Sequence, residues 1–294
     1  MKKILTPLIW LVVSVAVAQP NSYPLTEKLD EIISGKDAVV GVSIISQDGT
    51  DTLTINGNRR FPMQSVFKLH IGMYVLSLVD RKILSLDQKL SFSKDKLRTD
   101  WWSPIAKKYP EGATLPLRDV LGYTIGQSDN NGCEVLLDLV GGPKVVGTFF
   151  KHQGFKDVEI AVSETDMHEK DDAQYLNWST PREASVIMKS LYEGRLLSRS
   201  STDFLMKVLS ETVTGPKRIR GQLPSGTMVA HKTGTSGING GVMAAVNDMG
   251  MITLPNGKVL FLTVFVTDSR ENLQENERII AEVSKAVFDF YASK

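Results

Sequence analysis

One cysteine, Cys133, is all that the 294 residues contain. No disulfide can form within such a chain, so its stability has to come from a packed core. Net charge is nearly absent as well, with 34 Lys and Arg against 33 Asp and Glu. That balance removes the electrostatic case for a nucleic-acid partner. Four histidines are scattered without a ligand-spaced pair, so neither a metal site nor any other cofactor is indicated. There is no low-complexity tract, no internal repeat and, beyond the first twenty residues, no long apolar run.

Those first residues, MKKILTPLIWLVVSVAVAQP, pass from two lysines through an apolar segment to Ala16-Val17-Ala18. This is the order of a secretory signal peptide. It predicts cleavage after Ala18, residues 1–18 as a signal peptide outside the fold, export to the periplasm and no stable membrane anchor afterwards. The apolar run is short for a membrane span, which needs about 20 residues.

With 42% apolar residues the chain is globular, and its organisation is read from the period of the apolar positions. Leu25, Leu29, Ile32 and Ile33 are spaced as one helix face. AVVGVSIIS and TDTLTIN flank Asp48-Gly49 as a hairpin. TMVAHKTGT, GVMAAVNDMGMIT and KVLFLTVFVT read as strands, the last two joined through Pro255-Asn256-Gly257. Ile279, Ile280, Val283, Val287 and Phe290 share a face of a last helix. Five strands are thus predicted in one antiparallel sheet flanked by the terminal helices. Residues 59–212 read as an inserted all-helical domain between 19–58 and 213–294, the two parts of an α/β domain. The cleft between the domains is the expected site. Cys133, in the helical pattern GCEVLLDLV, reads as a buried, inert thiol.

From Val66 to Val79 one helical segment is apolar on almost every side, yet Ser65 and Lys68 stand at its start, three residues apart. A buried lysine without a task is costly. Beside a serine it could accept the hydroxyl proton, with the positive end of the helix facing the anion formed on attack. Ser128-Asp129-Asn130 follows downstream, and Lys232-Thr233-Gly234-Thr235 lies on a predicted strand. Together and in this order the three motifs resemble those of serine β-lactamases and penicillin-binding proteins.

The resemblance extends over the mature chain and is closest to the class A β-lactamases. It implies the interrupted α/β fold, no cofactor and a monomer acting on small-molecule β-lactams. Ser65 would be the acylated nucleophile, with the Ser65 and Thr235 backbone N–H groups as oxyanion hole. Ser128 would pass a proton to the leaving nitrogen, tuned by Lys68 and Lys232. Asn130 would bind the substrate's side-chain amide and Asp129 brace its loop. Thr233, Gly234, Thr235 and Ser236 would meet the substrate along the strand. The usual arginine is missing from GINGGVMAAV; Arg218 matches an alternative arginine position, with Arg220 as its rival.

VSETDMHEKDD, residues 162–172, holds five carboxylates and a histidine without helical or strand period. Hydrolysing an acyl-serine requires an activated water, and a loop carboxylate is a suitable base. The register Glu164-Thr165-Asp166-Met167-His168 resembles a branch with a histidine four residues after the base. Glu164 is therefore the assigned base and Glu169 the runner-up; Asp166, Asp171 and Asp172 read as solvated or bracing. The family's usual loop salt bridge is missing, since Val162 and Asn177 occupy its two positions. Gln64 and Trp102 match positions flanking the pocket in this branch, which implies turnover of oxyimino-cephalosporins besides penicillins. The alternatives are a cell-wall D-Ala-D-Ala carboxypeptidase or transpeptidase, and a non-catalytic β-lactam sensor domain; the loop carboxylate argues against the first, the single short apolar stretch against the second.

Overall fold

The structure, a computed structural model, describes residues 23–294; the signal segment lies outside them. All five predicted strands form one antiparallel sheet, in the order Thr52–Ile55, Val39–Ser46, Val259–Thr267, Val246–Thr253, Val229–Thr235. Chain ends meet in its middle: Val39 pairs with Thr267 and Ser46 with Leu260. Every residue of Val259–Thr267 is buried, as a central strand covered on both faces must be.

Alternation along the strands divides the core in two. Val40, Val42, Ile44, Leu260, Leu262 and Val264 join Leu25 and Leu29 of the first helix, Tyr23–Ile33, and Ile279, Val283 and Val287 of the last, Leu273–Ala292. Phe261, Phe265, Met249 and Met251 belong to the other cluster. That second face is covered by the helix Pro181–Tyr192 through Ala184, Ile187, Met188 and Leu191. This helix starts where Thr180 accepts the N–H of Glu183 and Pro181 opens the first turn, a strong local start signal.

The segment 59–212 therefore differs from an all-helical insertion in two ways. One of its helices serves the sheet, and it contains two small sheets, Phe61–Pro62 with Trp178–Ser179 and Val158–Glu159, and Lys89–Ser93 with Gly112–Pro116. A helix not foreseen, Pro143–His152, buries Val146 and Phe150. The stretch LRDVLGYTIGQ, inside the segment read as helical, changes at Gly122 from α- to π-type winding. Two-residue strands and short helices fall below the length at which a period can be counted.

The helix Phe67–Asp80 runs through the centre, with Phe67, Leu69, Ile71, Met73, Val75 and Leu76 all fully buried. Its buried His70 packs edge-on to Phe150, with ring centroids 4.9 Å apart. Burial lowers the His70 pKa to about 4, so the ring is neutral near pH 7. Cys133 is buried and free, and burial pushes its thiol well above the usual range. Such a thiol is inert at neutral pH.

Candidate active site

Ser65 lies in the turn Gln64–Val66, a 3₁₀ winding that feeds the central helix. Gln64 before it has φ 47°, a left-handed conformation that side chains adopt at a cost. Its side chain is held there by a hydrogen bond, Gln64 Nε2 donating to Gln174 Oε1 at 2.8 Å. Gly234 shows why the lysine strand carries a glycine there. A Cβ at that position would lie 2.2 Å from the Met63 carbonyl oxygen, so only glycine lets the strand approach the serine turn.

Lys68 is fully buried and is the hub of the site. Its Nζ lies 3.0 Å from Ser65 Oγ, 3.0 Å from the Ser128 carbonyl and 2.9 Å from Glu164 Oε1, and it also contacts Asn130 Oδ1. An ammonium has three N–H donors, so four acceptors compete for it. Ser65 and Glu164 are thereby linked through one nitrogen that can pass a proton either way.

Ser128 sits at φ 60°, which turns its Oγ to within 3.0 Å of Lys232 Nζ. Lys232 also donates to the Thr233 carbonyl at 2.9 Å. Burial first, and then the neighbouring charge of Lys68, hold Lys232 well below the ordinary lysine range. Asp129 accepts the Gly132 N–H at 2.7 Å, the Ile105 N–H at 2.7 Å and the Ser103 hydroxyl at 2.8 Å.

The acidic stretch contains a helix after all, Glu164–Glu169. Ser163 accepts the Asp166 N–H, and the Asp166 carboxylate accepts the Ser163 N–H. This reciprocal cap is a local signal overlooked in reading the loop as unpatterned. Glu164 at the first turn is 4% exposed, whereas Glu169 and Asp166 are exposed. His168 Nδ1 lies 2.7 Å from the Glu164 carbonyl. Because a carbonyl only accepts, that nitrogen carries the hydrogen. The ring stacks on Trp101 at 4.4 Å.

Where the salt bridge is missing, the Asn177 amide closes the loop. Its Oδ1 accepts the N–H groups of Ala161 and Val162 at 2.8 and 3.1 Å, and its Nδ2 donates to the Val162 carbonyl at 2.9 Å.

These groups border a cavity of ≈ 730 Å³ lined by Ser65, Ser128, Asn130, Glu164, His168, Thr233, Gly234, Thr235, Arg218 and Trp102, with Gln64 at its edge. Arg218 Nη2 donates to Thr235 Oγ1 at 2.7 Å, and its Nη1 to the carbonyls of Gly234 and Asn247. Burial lowers its pKa. Arg220 is turned to the carbonyls of Ser210 and Val229 and is not among the lining residues.

A model of the beta-lactamase enzyme family matches residues 24–291. The chain belongs to that family. It is 42% identical to the β-lactamase VEB-1 of Pseudomonas aeruginosa, over 100% of this chain and 99% of the relative. It is equally 42% identical to the extended-spectrum β-lactamase PER-1 of the same organism, over 92% and 88%. Among solved structures, a β-lactamase from Chitinophaga pinensis superposes with a TM-score of 0.90 at 44% identity, covering 91% of this chain and 99% of that one. A class A β-lactamase from Bacteroides cellulosilyticus gives 0.89 at 36% identity, covering 93% and 99%.

One residue assigned to substrate binding in this β-lactamase is placed otherwise. Ser236 is buried and absent from the lining; its hydroxyl donates to the Gly237 carbonyl at 2.8 Å and accepts the Ala245 N–H at 3.1 Å. It shapes the end of the strand. Other residues of the β-lactamase site carried no sequence signal. Glu134 Oε1 accepts the N–H groups of Glu164 and Thr165 at 2.7 and 3.1 Å, and its Oε2 the Thr165 hydroxyl. Asn239 Nδ2 donates to Asp171 Oδ2 at 2.7 Å across the cavity mouth. Among the described residues no group of acidic, histidine or cysteine side chains could hold a metal.

Proposed function

We infer that hydrolysis of β-lactams by this enzyme runs through an ester on Ser65, made and broken in the cavity between sheet and helices. The observation that carries this reading is the convergence on Lys68 Nζ of Ser65 Oγ at 3.0 Å and Glu164 Oε1 at 2.9 Å. A serine, a proton carrier and a buried carboxylate within one contact shell supply the groups that acylation and deacylation both need.

In acylation the Ser65 hydroxyl gives its proton to the Lys68–Glu164 pair as Oγ attacks the lactam carbonyl. The oxygen that becomes negative meets the backbone N–H groups of Ser65 and Thr235. As the C–N bond breaks, the nitrogen takes a proton from Ser128, whose Oγ is replenished through Lys232 and Lys68. In deacylation Glu164 removes a proton from a water that attacks the ester, and Ser65 leaves as the hydroxyl. Thr233, Thr235 and Arg218 hold the ring carboxylate, and Asn130 the side-chain amide. Trp102, 64% exposed with its Nε1 held by the Gln127 carbonyl, walls the side-chain end.

The substrates include penicillins and cephalosporins, oxyimino-cephalosporins among them, and their hydrolysis confers resistance. The likeness to the extended-spectrum β-lactamase PER-1 supports that range. We read the protein as exported to the periplasm and cleaved after Ala18, on the order of charges and small residues at its start, and as a monomer, on its likeness to the class A β-lactamases. In the same reading, residues 19–58 and 213–294 form one domain and 59–212 the other, with Pro181–Tyr192 lent to the sheet.

The direct test follows a chromogenic cephalosporin in large excess while the mass of the protein is read. Continued colour over many equivalents is the expected result; one stoichiometric burst with a lasting adduct would mean a penicillin-binding or sensing protein. Arg218→Ala is expected to raise KM about thirtyfold or more for substrates with a ring carboxylate, the range for truncating one partner of a buried, hydrogen-bonded charge pair. Arg220→Ala should leave that KM within about twofold, and steady-state kinetics of the two variants decide between them.

A further inference from the structure

Lys232 and Arg218 are buried cations, 0% and 3% exposed, and burial favours their neutral forms unless opposite charge compensates. On the sheet face that carries Val229, Val246 and Ile252, Asp248 and His231 are each 0% exposed, and neither lines the cavity. The catalytic steps above use neither of them. His231 Nδ1 lies 2.9 Å from both oxygens of the Asp248 carboxylate. Asp248 Oδ2 also accepts the N–H of Ile219 at 3.1 Å, the residue that follows Arg218. Across the sheet Asp248 pairs with Thr233, the residue that follows Lys232. One carboxylate is thus hydrogen-bonded to the turn that carries Arg218 and lies opposite Thr233, one residue along the strand from Lys232, whose side chain leaves the other face.

We propose that Asp248, oriented by His231, is a positioning residue that holds Arg218 for the substrate carboxylate and supplies the buried counter-charge to Lys232. This rests on the reading of Arg218 as the carboxylate anchor. The charges acting on Lys232 are Lys68 and Arg218 of like sign, and Asp248 and Glu164 of opposite sign, with Asp248 the larger attraction. Those favouring the Arg218 charge are Asp248 and Glu277, whose Oε1 lies 3.2 Å from Arg218 Nε. His231 Nε2 is buried with no hydrogen-bond partner, so the chain of contacts ends at the ring. The histidine fixes the carboxylate.

Asp248→Asn keeps the shape and removes the charge. For a chromogenic cephalosporin with its free carboxylate, kcat/KM is expected to fall about tenfold, mostly through KM, whereas the methyl ester of the same compound loses less than about threefold. The alkaline limb of the kcat/KM profile moves to lower pH, because Lys232 loses an attraction that favours its charged form. Equal losses for acid and ester with an unmoved limb would reduce Asp248 to packing and overturn the proposal. Arg218→Ala, measured in parallel, separates the two readings. If it leaves the acid substrate unaffected, the anchor assignment fails; if it acts and Asp248→Asn does not, only the positioning role fails. Should Asp248→Asn not fold, Glu277→Gln still decides, since it removes the other, less buried counter-charge of Arg218. A loss below about threefold with the limb in place fits Asp248 as the main counter-charge. A tenfold loss with a shifted limb from Glu277→Gln alone would transfer the role to Glu277.

Discussion

Glutamine in place of Glu164 is expected to lower cephalosporin turnover about a thousandfold, the middle of the range for a general base, and to leave a lasting ester on Ser65. The substitution preserves size and the ability to hydrogen-bond, but an amide cannot take a proton from water. Acylation should suffer less, since Lys68 Nζ stays 3.0 Å from Ser65 Oγ and is able to act as base once deprotonated. A rapid burst followed by near-arrest, with the intact protein heavier by one opened β-lactam, is the result that fits. Turnover similar to the parent would remove Glu164 from the mechanism. Arrest in Glu169→Gln instead would move the role to an exposed carboxylate outside the cavity.

The loop that carries Glu164 should be nearly as sensitive at Asn177. Asn177→Asp places the family's common aspartate back into a chain that has Val162 where the partnering arginine would be. The residue is fully buried. The two N–H groups it accepts would still be served, but the N–H it donates to the Val162 carbonyl is lost and an unpaired charge takes its place. Uncompensated buried charge costs about 3–5 kcal/mol. The buried carboxyl is driven toward its neutral form, with its folded pKa above the unfolded value of about 4. The penalty is therefore absent below about pH 4, grows as pH rises toward the folded pKa, and is complete above it. Denaturant unfolding at neutral and acidic pH reads this directly. Adding Val162→Arg should recover part of the loss at neutral pH, as a coupling energy in a double-mutant cycle. A single variant as stable as the parent at neutral pH would show that the Asn177 amide does not hold the loop.

The three motifs that line or border the cavity were legible in the sequence because the members of each are near neighbours in the chain. Ser65 and Lys68 are three residues apart, and Ser128-Asp129-Asn130 and Lys232-Thr233-Gly234 are contiguous, so backbone geometry alone brings their members together. The five sheet strands were legible too, since each is long enough for its β-branched residues and turn signals to register. The Glu164–Glu169 helix was missed although its cap was present, because one and a half turns hold too few apolar positions to show a period. Ser236 was misjudged for another reason: a strand position gives the side of the sheet, whereas its hydroxyl is captured by Gly237 and Ala245 across a bend.

The amino-acid order by itself picked out Ser65 and Lys68, the two further motifs, the strand set and the acidic loop that carries the proposed base. Tertiary structure alone decided what holds them in register: Glu134 under Glu164 and Thr165, Gln64 against Gln174, Asn177 across the loop neck, Asn239 on Asp171 and Asp248 behind two buried cations. These contacts join residues 15 to 110 positions apart. The pairing of single polar groups over such distances has no period and no local propensity. It is settled only when folding removes water from them and each buried donor or acceptor has to find a partner.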